Sequence, residues 1–379
     1  MAKSFNSLMK KLPPWFMNAG DEEDVIIGTM ARVVRNLAGH TYPGWSTEEG
    51  RKAVADKILP VIQKLPGNKT AAYYAEMTNL SYTQRRVLLE RKQISQCMAA
   101  RQSGCHIVIN GKQDTTFMVN EEEHLVMHLF SSESQHQPLI QKAEKICATL
   151  AKELKFAENA KGEQLTSLPA ESGSGIQLYT VMQLPALVMA DMMPQINRGL
   201  EKLMLNIAPL YSHMGDDAAY LFVIYTAPIL VGGTEEIANH LYDVALTIAE
   251  REHEVRSRLV NNAKTMGVLP DAVSRAYGLL RYSCRLEYAE CINALCMLRL
   301  GLIAGFVEAD GVTLDSIVSF IATYYIATAP YHMRYLAPES TETAIELARS
   351  SFCKQLIAQL ELTTDFFGAL IEQNPSYHE

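Results

Sequence analysis

The sequence lacks an uninterrupted apolar run of about 18 residues, the length that a membrane-spanning helix requires. Its N-terminus also lacks the apolar segment and cleavage site of a secretory signal peptide. Basic residues are not in excess, because 34 Lys and Arg stand against 42 Asp and Glu, for a formal net charge of -8. A nucleic-acid-binding surface needs clustered excess positive charge. These absences predict a cytoplasmic protein without a membrane span or a nucleic-acid partner.

Cysteines in metal-binding spacing are missing as well. The seven cysteines are scattered, and none form a Cys-x-x-Cys pair, so neither a zinc site nor a disulfide framework is predicted. Cys284, Cys291 and Cys296 fall in apolar helical stretches and are expected to be small buried side chains. His124 and His128 have a spacing that suits a metal only on a helix, whereas this stretch is predicted to be a strand. We therefore predict no metal site.

The composition is that of an ordinary globular protein, since 48% of the 379 residues are hydrophobic and 20% are charged. This length is sufficient for two domains with substantial cores. Residues 1–20 are predicted to be an arm rather than a folded element. A break of Asn, Gly and Pro residues after position 260 separates a first domain, 21–262, from a helical C-terminal domain, 263–379.

Periodicity predicts an α+β fold for the first domain and an all-α fold for the second. Apolar residues at helical spacing alternate with short β-branched and aromatic runs, and Asn110-Gly111 is typical of a hairpin turn. Interleaved strands and helices with a tight hairpin indicate a mixed, mainly antiparallel sheet covered by helices. The predicted strands are 107–111, 115–119, 177–184 and 219–231, and the main predicted helices are 54–65, 82–94, 137–154, 185–205 and 234–260.

A dense carboxylate cluster follows the second strand of this hairpin, where residues 120–125 read Asn-Glu-Glu-Glu-His-Leu. A guanidinium group is planar and carries its hydrogens in a fork, so carboxylates on a rigid mount bind and orient it. The segment resembles the Asn-Glu-Glu-Asp-His-Leu-Arg signature of the guanidino (phosphagen) kinases, and most closely their bacterial protein-arginine kinase branch, McsB. This resemblance implies a guanidino-kinase-like phosphotransferase domain in which Glu122 is a retained catalytic carboxylate.

The phosphate-binding arginines that the resemblance implies are mostly replaced. A segment near the N-terminus is similar to the family strand whose Ser-Ser-Arg-x-Arg carries two of them, and here Arg32 matches the second while Met30 replaces the first. Val126 stands where the signature ends in arginine. By weaker similarity, Gln177 and Ala208 stand at two further arginine positions. Four of the five matched arginines are therefore absent.

Two more family groups are missing. Residues 165–175 resemble Leu-Thr-x-Cys-Pro-Thr-Asn-x-Gly-Thr-Gly, with Leu168 at the reactive cysteine, and residues 207–213 resemble Val-Arg-Gly-Leu-Tyr-Gly-Glu, with His213 at the second catalytic glutamate. Phosphoryl transfer depends on fixed cations around the phosphates, and removing one positioned group typically costs about 100- to 1,000-fold in rate. We therefore interpret the chain as a catalytically degenerate homologue, a pseudokinase, that acts as an interaction or regulatory module and uses no cofactor.

The C-terminal part favours the bacterial branch. Residues 275–280 and 298–303 resemble helical segments of the protein-arginine kinase C-terminal domain, which implies self-association into a homodimer. The apolar character of residues 279–306 on several helical faces also favours a partner surface. The family's phosphoarginine-docking Arg-Asp-x-x-Arg-Ala is absent after Leu336-Ala-Pro-Glu339. The resemblance further suggests a small zinc-binding activator of the McsA type as a partner.

Two other functions stay open. In the first, the chain is an active protein-arginine kinase that uses ATP and Mg²⁺, with Glu122, Arg32 and His213 as a replacement base. In the second, the old pocket senses an arginine-like cation or a peptide without turnover, with charge from residues 121–123 and Asp216-Asp217. A simpler alternative treats residues 121–123 as a solvated turn.

Overall fold

A computed structural model describes residues 4–9, 25–69, 72–101, 103–210, 220–227, 233–261, 267–309, 333–334, 336–337 and 339–363. Its centre is one eight-stranded sheet in the order β2-β3-β4-β5-β1-β6-β8-β7, and each adjacent pair is antiparallel. The predicted α+β class is confirmed. The strands are β1 Ile26–Arg35, β2 Tyr73–Glu76, β3 His106–Ile109, β4 Thr115–Val119, β5 Leu125–Ser131, β6 Ile176–Gln183, β7 Leu205–Pro209 and β8 Leu221–Thr226.

The β3–β4 hairpin forms where the Asn-Gly pair predicts it. The side chain of Asn110 closes the turn, because its Oδ1 accepts hydrogen bonds from the backbone N–H groups of Asp114 at 3.1 Å and Thr115 at 3.3 Å. Its Nδ2 donates to Asp114 Oδ1 at 2.7 Å. Asparagine favours turns because its short amide replaces backbone hydrogen bonds in this way.

Helices cover both faces of the sheet. They are α1 Phe5–Met9, α2 Glu48–Lys64, α3 Tyr82–Glu90, α4 Gln96–Ala100, α5 Gln137–Leu150, α6 Pro185–Met189, α7 Met193–Lys202, α8 Thr234–Asn261, α9 Val268–Tyr282, α10 Tyr288–Ile303 and α11 Glu342–Leu356. No helix among the described residues is long and apolar enough to cross a bilayer.

The two faces of the sheet are packed differently. On one face, side chains such as Val33 and Met127 join α2, α5 and α8 in a single apolar cluster. The other face carries two clusters. One contains Val126 and side chains of α1, α3 and α4, and the other joins Val181 to the C-terminal helices. Arg32 lies on this second face, on the central strand β1.

Three details differ from the sequence predictions. The predicted N-terminal arm contains α1, whose Leu8 is 1% exposed because it packs in the cluster of α3. The single predicted helix over 185–205 is two helices, α6 and α7. Asp191 has a left-handed φ of 54° between them, and Pro194 opens the second. The C-terminal part is not wholly α-helical, because Val307–Ala309 (β9) pairs with Leu360–Leu362 (β10).

Helix α10 is the centre of the C-terminal part. Most of its side chains are buried, and they form a cluster with α9, α11 and the sheet. The apolar faces that favoured a dimer are therefore covered by the same chain, and a dimer needs a different surface. Cys291 and Cys296 are buried as predicted. Cys284 is exposed, since it lies in the turn between α9 and α10.

A buried ion pair joins the C-terminal helix α11 to α3. Arg349 Nη2 lies 3.3 Å from Glu90 Oε1, and both side chains are at most 1% exposed. Arg86 Nε approaches the same oxygen at 3.3 Å, and Arg349 Nη1 donates to the carbonyl oxygen of Leu286 at 2.8 Å. Burial raises the pKa of Glu90, while Arg349 and Arg86 oppose that rise. The carboxylate thus depends on both arginines to stay charged.

We expect Arg349→Met to lower the free energy of unfolding by about 3 to 5 kcal/mol, because it leaves a buried carboxylate with one cation fewer. Denaturant titration of the full chain measures this change. Arg275→Met is the matched control, because the Arg275 side chain is 79% exposed and pairs with Asp271 at the surface. Exposed ion pairs of this kind contribute about 0 to 1 kcal/mol to the free energy of unfolding. Equal losses in the two variants would contradict the importance of the buried pair.

Candidate functional site

The carboxylate cluster lies in the tight turn between β4 and β5, and Asn120 fixes that turn. Asn120 adopts a left-handed φ of 61°, and its backbone N–H donates to the carbonyl oxygen of His124 at 3.0 Å. Its Nδ2 donates to the carbonyl oxygens of Arg51 at 2.7 Å and Gly104 at 2.8 Å. Asparagine tolerates this conformation better than most residues. The turn is thereby attached to α2 and to the start of β3.

Glu123 and His124 attach the turn to two other loops. The Glu123 carboxylate accepts hydrogen bonds from Asn36 Nδ2 at 2.7 Å, from the backbone N–H of Ser167 at 2.9 Å and from Ser167 Oγ at 2.8 Å. His124 Nδ1 accepts from the N–H of Leu37 at 3.1 Å, and its Nε2–H donates to a backbone carbonyl at 2.9 Å. Burial raises the pKa of Glu123 and lowers that of His124. Both residues therefore hold the scaffold together.

Glu121 and Glu122 point to different environments. Glu121 is 2% exposed, accepts a hydrogen bond from Ser95 Oγ and lies 3.9 Å from Arg32 Nη2. Glu122 is exposed, and its backbone N–H donates to Glu121 Oε2 at 3.0 Å. The alternative of a solvated turn is therefore wrong for Glu121 and Glu123. Glu122 is the member of the cluster that is free to meet a ligand from solvent.

The register of the sheet brings four of the predicted phosphate-site positions onto one face. Arg32 pairs with His128 of β5 and with Gln177 of β6. Residues two apart on a strand share a face, so Met30 and Val126 lie on the same side as Arg32. Met30, Arg32, Val126 and Gln177 thus share one face of the sheet.

The replaced positions have different surroundings. Val126 is fully buried, directly opposite Val34 on β1 and Met118 on β4. Met30 is half-buried and packs against the C-terminal cluster. Gln177 Nε2 donates to the carbonyl oxygen of Thr226 at 2.9 Å. Met30 and Val126 therefore pack into separate parts of the protein instead of against each other.

The other predicted site residues are spread out. Ala208 lies on the edge strand β7, three strand spacings from β1, which is about 14 Å across the sheet. Leu168 is 56% exposed and follows Ser167, the residue that binds Glu123. His213 lies outside the described residues, as do Asp216 and Asp217. Ala208 is therefore remote from Arg32 in this structure.

Two residues of this face were not found from the sequence. His128 Nδ1–H donates to the carbonyl oxygen of Lys92 at 3.1 Å, in the loop after α3, and Lys92 has a left-handed φ of 57°. Burial lowers the pKa of Lys92 to about 7 and that of His128 to about 4. The cations of Arg32 and Lys92 also disfavour a charged His128. An ordinary Arg-Lys dipeptide in a helix-end loop gave no sequence signal for this contact.

The electrostatics of the face follow from these contacts. Burial favours the uncharged forms of His128 and Lys92, and the buried carboxylate of Glu121 faces Arg32. A cavity beside Arg32, lined by Thr166, Gln177 and neighbouring residues, has a volume of about 10 Å³, which holds about one water molecule. It does not accommodate a triphosphate. Among the described residues, no group of three or more His, Cys, Asp or Glu side chains is placed to hold a metal ion.

Two family models match the chain on either side of the predicted domain break. The model described as the C-terminal catalytic domain of ATP:guanido phosphotransferases matches residues 53–255. The model described as the protein-arginine kinase McsB C-terminal domain matches residues 266–365. The second match confirms the bacterial branch that the C-terminal motifs indicated.

Similar curated proteins cover most of the chain. The protein-arginine kinase of Halothermothrix orenii is 24% identical over 91% of this chain and 96% of its own length. The protein-arginine kinase of Shouchella clausii is 26% identical over 88% of this chain and 93% of its own length. That of Bacillus cereus strain AH820 is 27% identical over 80% of this chain and 86% of its own length.

Solved structures support the same fold. The duplicated taurocyamine kinase of Schistosoma mansoni with bound transition-state-analogue components has a TM-score of 0.55 at 17% identity, over 72% of this chain and 42% of its own. A lombricine kinase has a TM-score of 0.53 at 18% identity, over 68% of this chain and 72% of its own. The two family models, together with the curated relatives, show that the chain belongs to the ATP:guanido phosphotransferase family, in its protein-arginine kinase (McsB) branch.

Proposed function

We propose that this protein is a protein-arginine kinase homologue that has lost phosphoryl transfer and acts as a protein-interaction or regulatory module. The observation that carries the proposal is the composition of the sheet face around Arg32. Met30, Val126 and Gln177 offer no cation there, and Arg32 itself faces the carboxylate of Glu121. Transfer from ATP requires several fixed cations around the phosphates.

The surroundings of these positions support the proposal. A bound triphosphate needs positive charge that is present before it arrives. Lys92 and His128 add little, because burial favours their neutral forms. The described residues around Arg32 do not fit ATP and its magnesium ion, since the one arginine of this group already faces a carboxylate.

The second candidate is an active protein-arginine kinase, and the comparisons taken alone favour it. The relatives named protein-arginine kinase match 80 to 91% of the chain, across both domains. The exposed Glu122 is placed to meet a guanidinium from solvent, and Lys92 lies beside the face of Arg32. In this candidate function, ATP binding would draw a proton onto Lys92, which would then replace one lost arginine.

We expect no acid-labile phosphoarginine when the chain is incubated with Mg-ATP and an unfolded basic protein, and no micromolar ATP binding in calorimetry. The reason is the missing phosphate cations. The Bacillus cereus relative serves as positive control in the same assay. If the chain forms phosphoarginine and Arg32→Ala abolishes that activity, the chain is an active protein-arginine kinase and the pseudokinase proposal fails.

We expect Val126→Arg to lower the free energy of unfolding by about 1 to 3 kcal/mol, because it puts a cation into a fully buried apolar position. Thermal unfolding of the full chain measures the change. Val126→Met is the matched control for added volume without charge, and it should cost less. An unchanged melting temperature for Val126→Arg, together with a rise on addition of ATP, would indicate an open nucleotide pocket and favour the active kinase.

As an interaction module, the protein is proposed to form a homodimer and to bind an McsA-like activator. Tyr282 at the end of α9 and Leu347 on α11 are 76% and 48% exposed, and they supply an apolar surface on the C-terminal part. A pull-down of the intact protein from its own cell extract tests for the activator.

We expect light scattering at micromolar concentration to give twice the chain mass of 42.2 kDa. Tyr282→Glu should shift the protein towards the monomer, because a charge in an apolar interface is costly to desolvate. Met204→Glu is the control, since Met204 is 82% exposed on the other domain. A strict monomer for the parent chain would rule out the dimer.

A further inference from the structure

A second cavity lies on the face of the sheet that is opposite Arg32. It has a volume of about 420 Å³ and lies between the end of α2, the β3–β4 turn and α5. This volume is within the range of about 300 to 1,000 Å³ that is usual for small-molecule sites. Phe117 belongs to the apolar cluster on this face, whereas Arg32 lies on the other, so the sheet separates the cavity from the candidate site.

The cavity has an apolar floor and a basic rim. Leu65, Phe117 and Ile146 form apolar parts of the lining. Lys112 and Lys145 are exposed at its edge, and neither has an acidic partner among the described residues. The described residues of the lining include no Asp or Glu. A ligand in this cavity would therefore meet uncompensated positive charge beside apolar surface.

A third lysine of the lining, Lys142, differs from Lys112 and Lys145 because it is paired with a carboxylate. Lys142 Nζ is paired with Asp114 Oδ1 at 2.6 Å, and this pair helps to lower the pKa of Asp114. The same carboxylate oxygen accepts from Asn110 Nδ2 at 2.7 Å. Asp114 therefore offsets the charge of Lys142, whereas Lys112 and Lys145 make no ion pair among the described residues.

We propose that this cavity binds a small amphipathic organic anion, with its apolar body on the floor and its anionic group at Lys112 and Lys145. The site is independent of the phosphotransfer question, because it shares no residue with the candidate functional site. Such a ligand would couple α2, α5 and the β3–β4 hairpin.

The test is calorimetry of the full chain with naphthalene-2-carboxylate, which has an apolar body and an anionic group. We expect one-to-one binding, and weaker binding of the neutral naphthalene-2-carboxamide. The double substitution Lys112→Met and Lys145→Met should weaken binding about fivefold, since each exposed charge contact contributes modestly. Lys52→Met with Lys161→Met is the matched control, because both lysines are exposed and outside the cavity, and it should bind like the parent.

A third variant tests whether the ligand binds inside the cavity. Ile146→Trp adds bulk to the lining and should abolish binding while the melting temperature shows that the chain is folded. If this variant does not fold, the lysine pair still decides the matter, because its side chains lie at the edge. Absence of binding at millimolar probe, or equal affinity of the two double-lysine variants, would overturn the proposal. Equal affinity for the carboxylate and the carboxamide would do the same.

Discussion

The pairing of β1 with β5 on one side and β6 on the other is the constraint on which the rest of this structure depends. Side chains alternate between faces along a strand, so a slip of one residue would move every β1 side chain to the other face. The observed register puts Val33 into the main core and Arg32 between His128 and Gln177. Packing of the core thereby fixes the position of the one arginine that the resemblance matched to a family phosphate ligand.

The retained and the replaced motif residues have separable physical roles. Asn120 and His124 are retained, Glu123 stands where the signature has an aspartate, and each of the three makes hydrogen bonds that join the β4–β5 turn to loops far away in sequence. Their presence is explained by the scaffold alone. Among the replaced positions, Val126 and Gln177 stand where the family has arginine, and here Val126 is part of an apolar cluster while Gln177 donates to a backbone carbonyl. The chain has kept the framework and changed the charge that the framework held.

Helix α3 is the physical connection between the C-terminal part and the candidate site. Glu90 at its end forms the buried pair with Arg349 of α11. The loop that follows carries Lys92, whose carbonyl oxygen binds His128, and Ser95, whose hydroxyl donates to Glu121. These contacts connect α11 to residues next to Arg32.

The sequence determined those parts of the protein that depend on local order or on motif spacing. Periodicity and the Asn-Gly pair predicted the α+β class, the β3–β4 hairpin, the strand β6 and the long helix α8. The resemblance assigned Met30, Arg32 and Val126 to phosphate-binding positions, and the sheet register places these residues on one face. Only the tertiary structure decided how far each group is buried. Glu121 is enclosed while its neighbour Glu122 is exposed, and Lys92 lies over His128. Burial and pKa arise from contacts between segments distant in sequence, which no local pattern encodes.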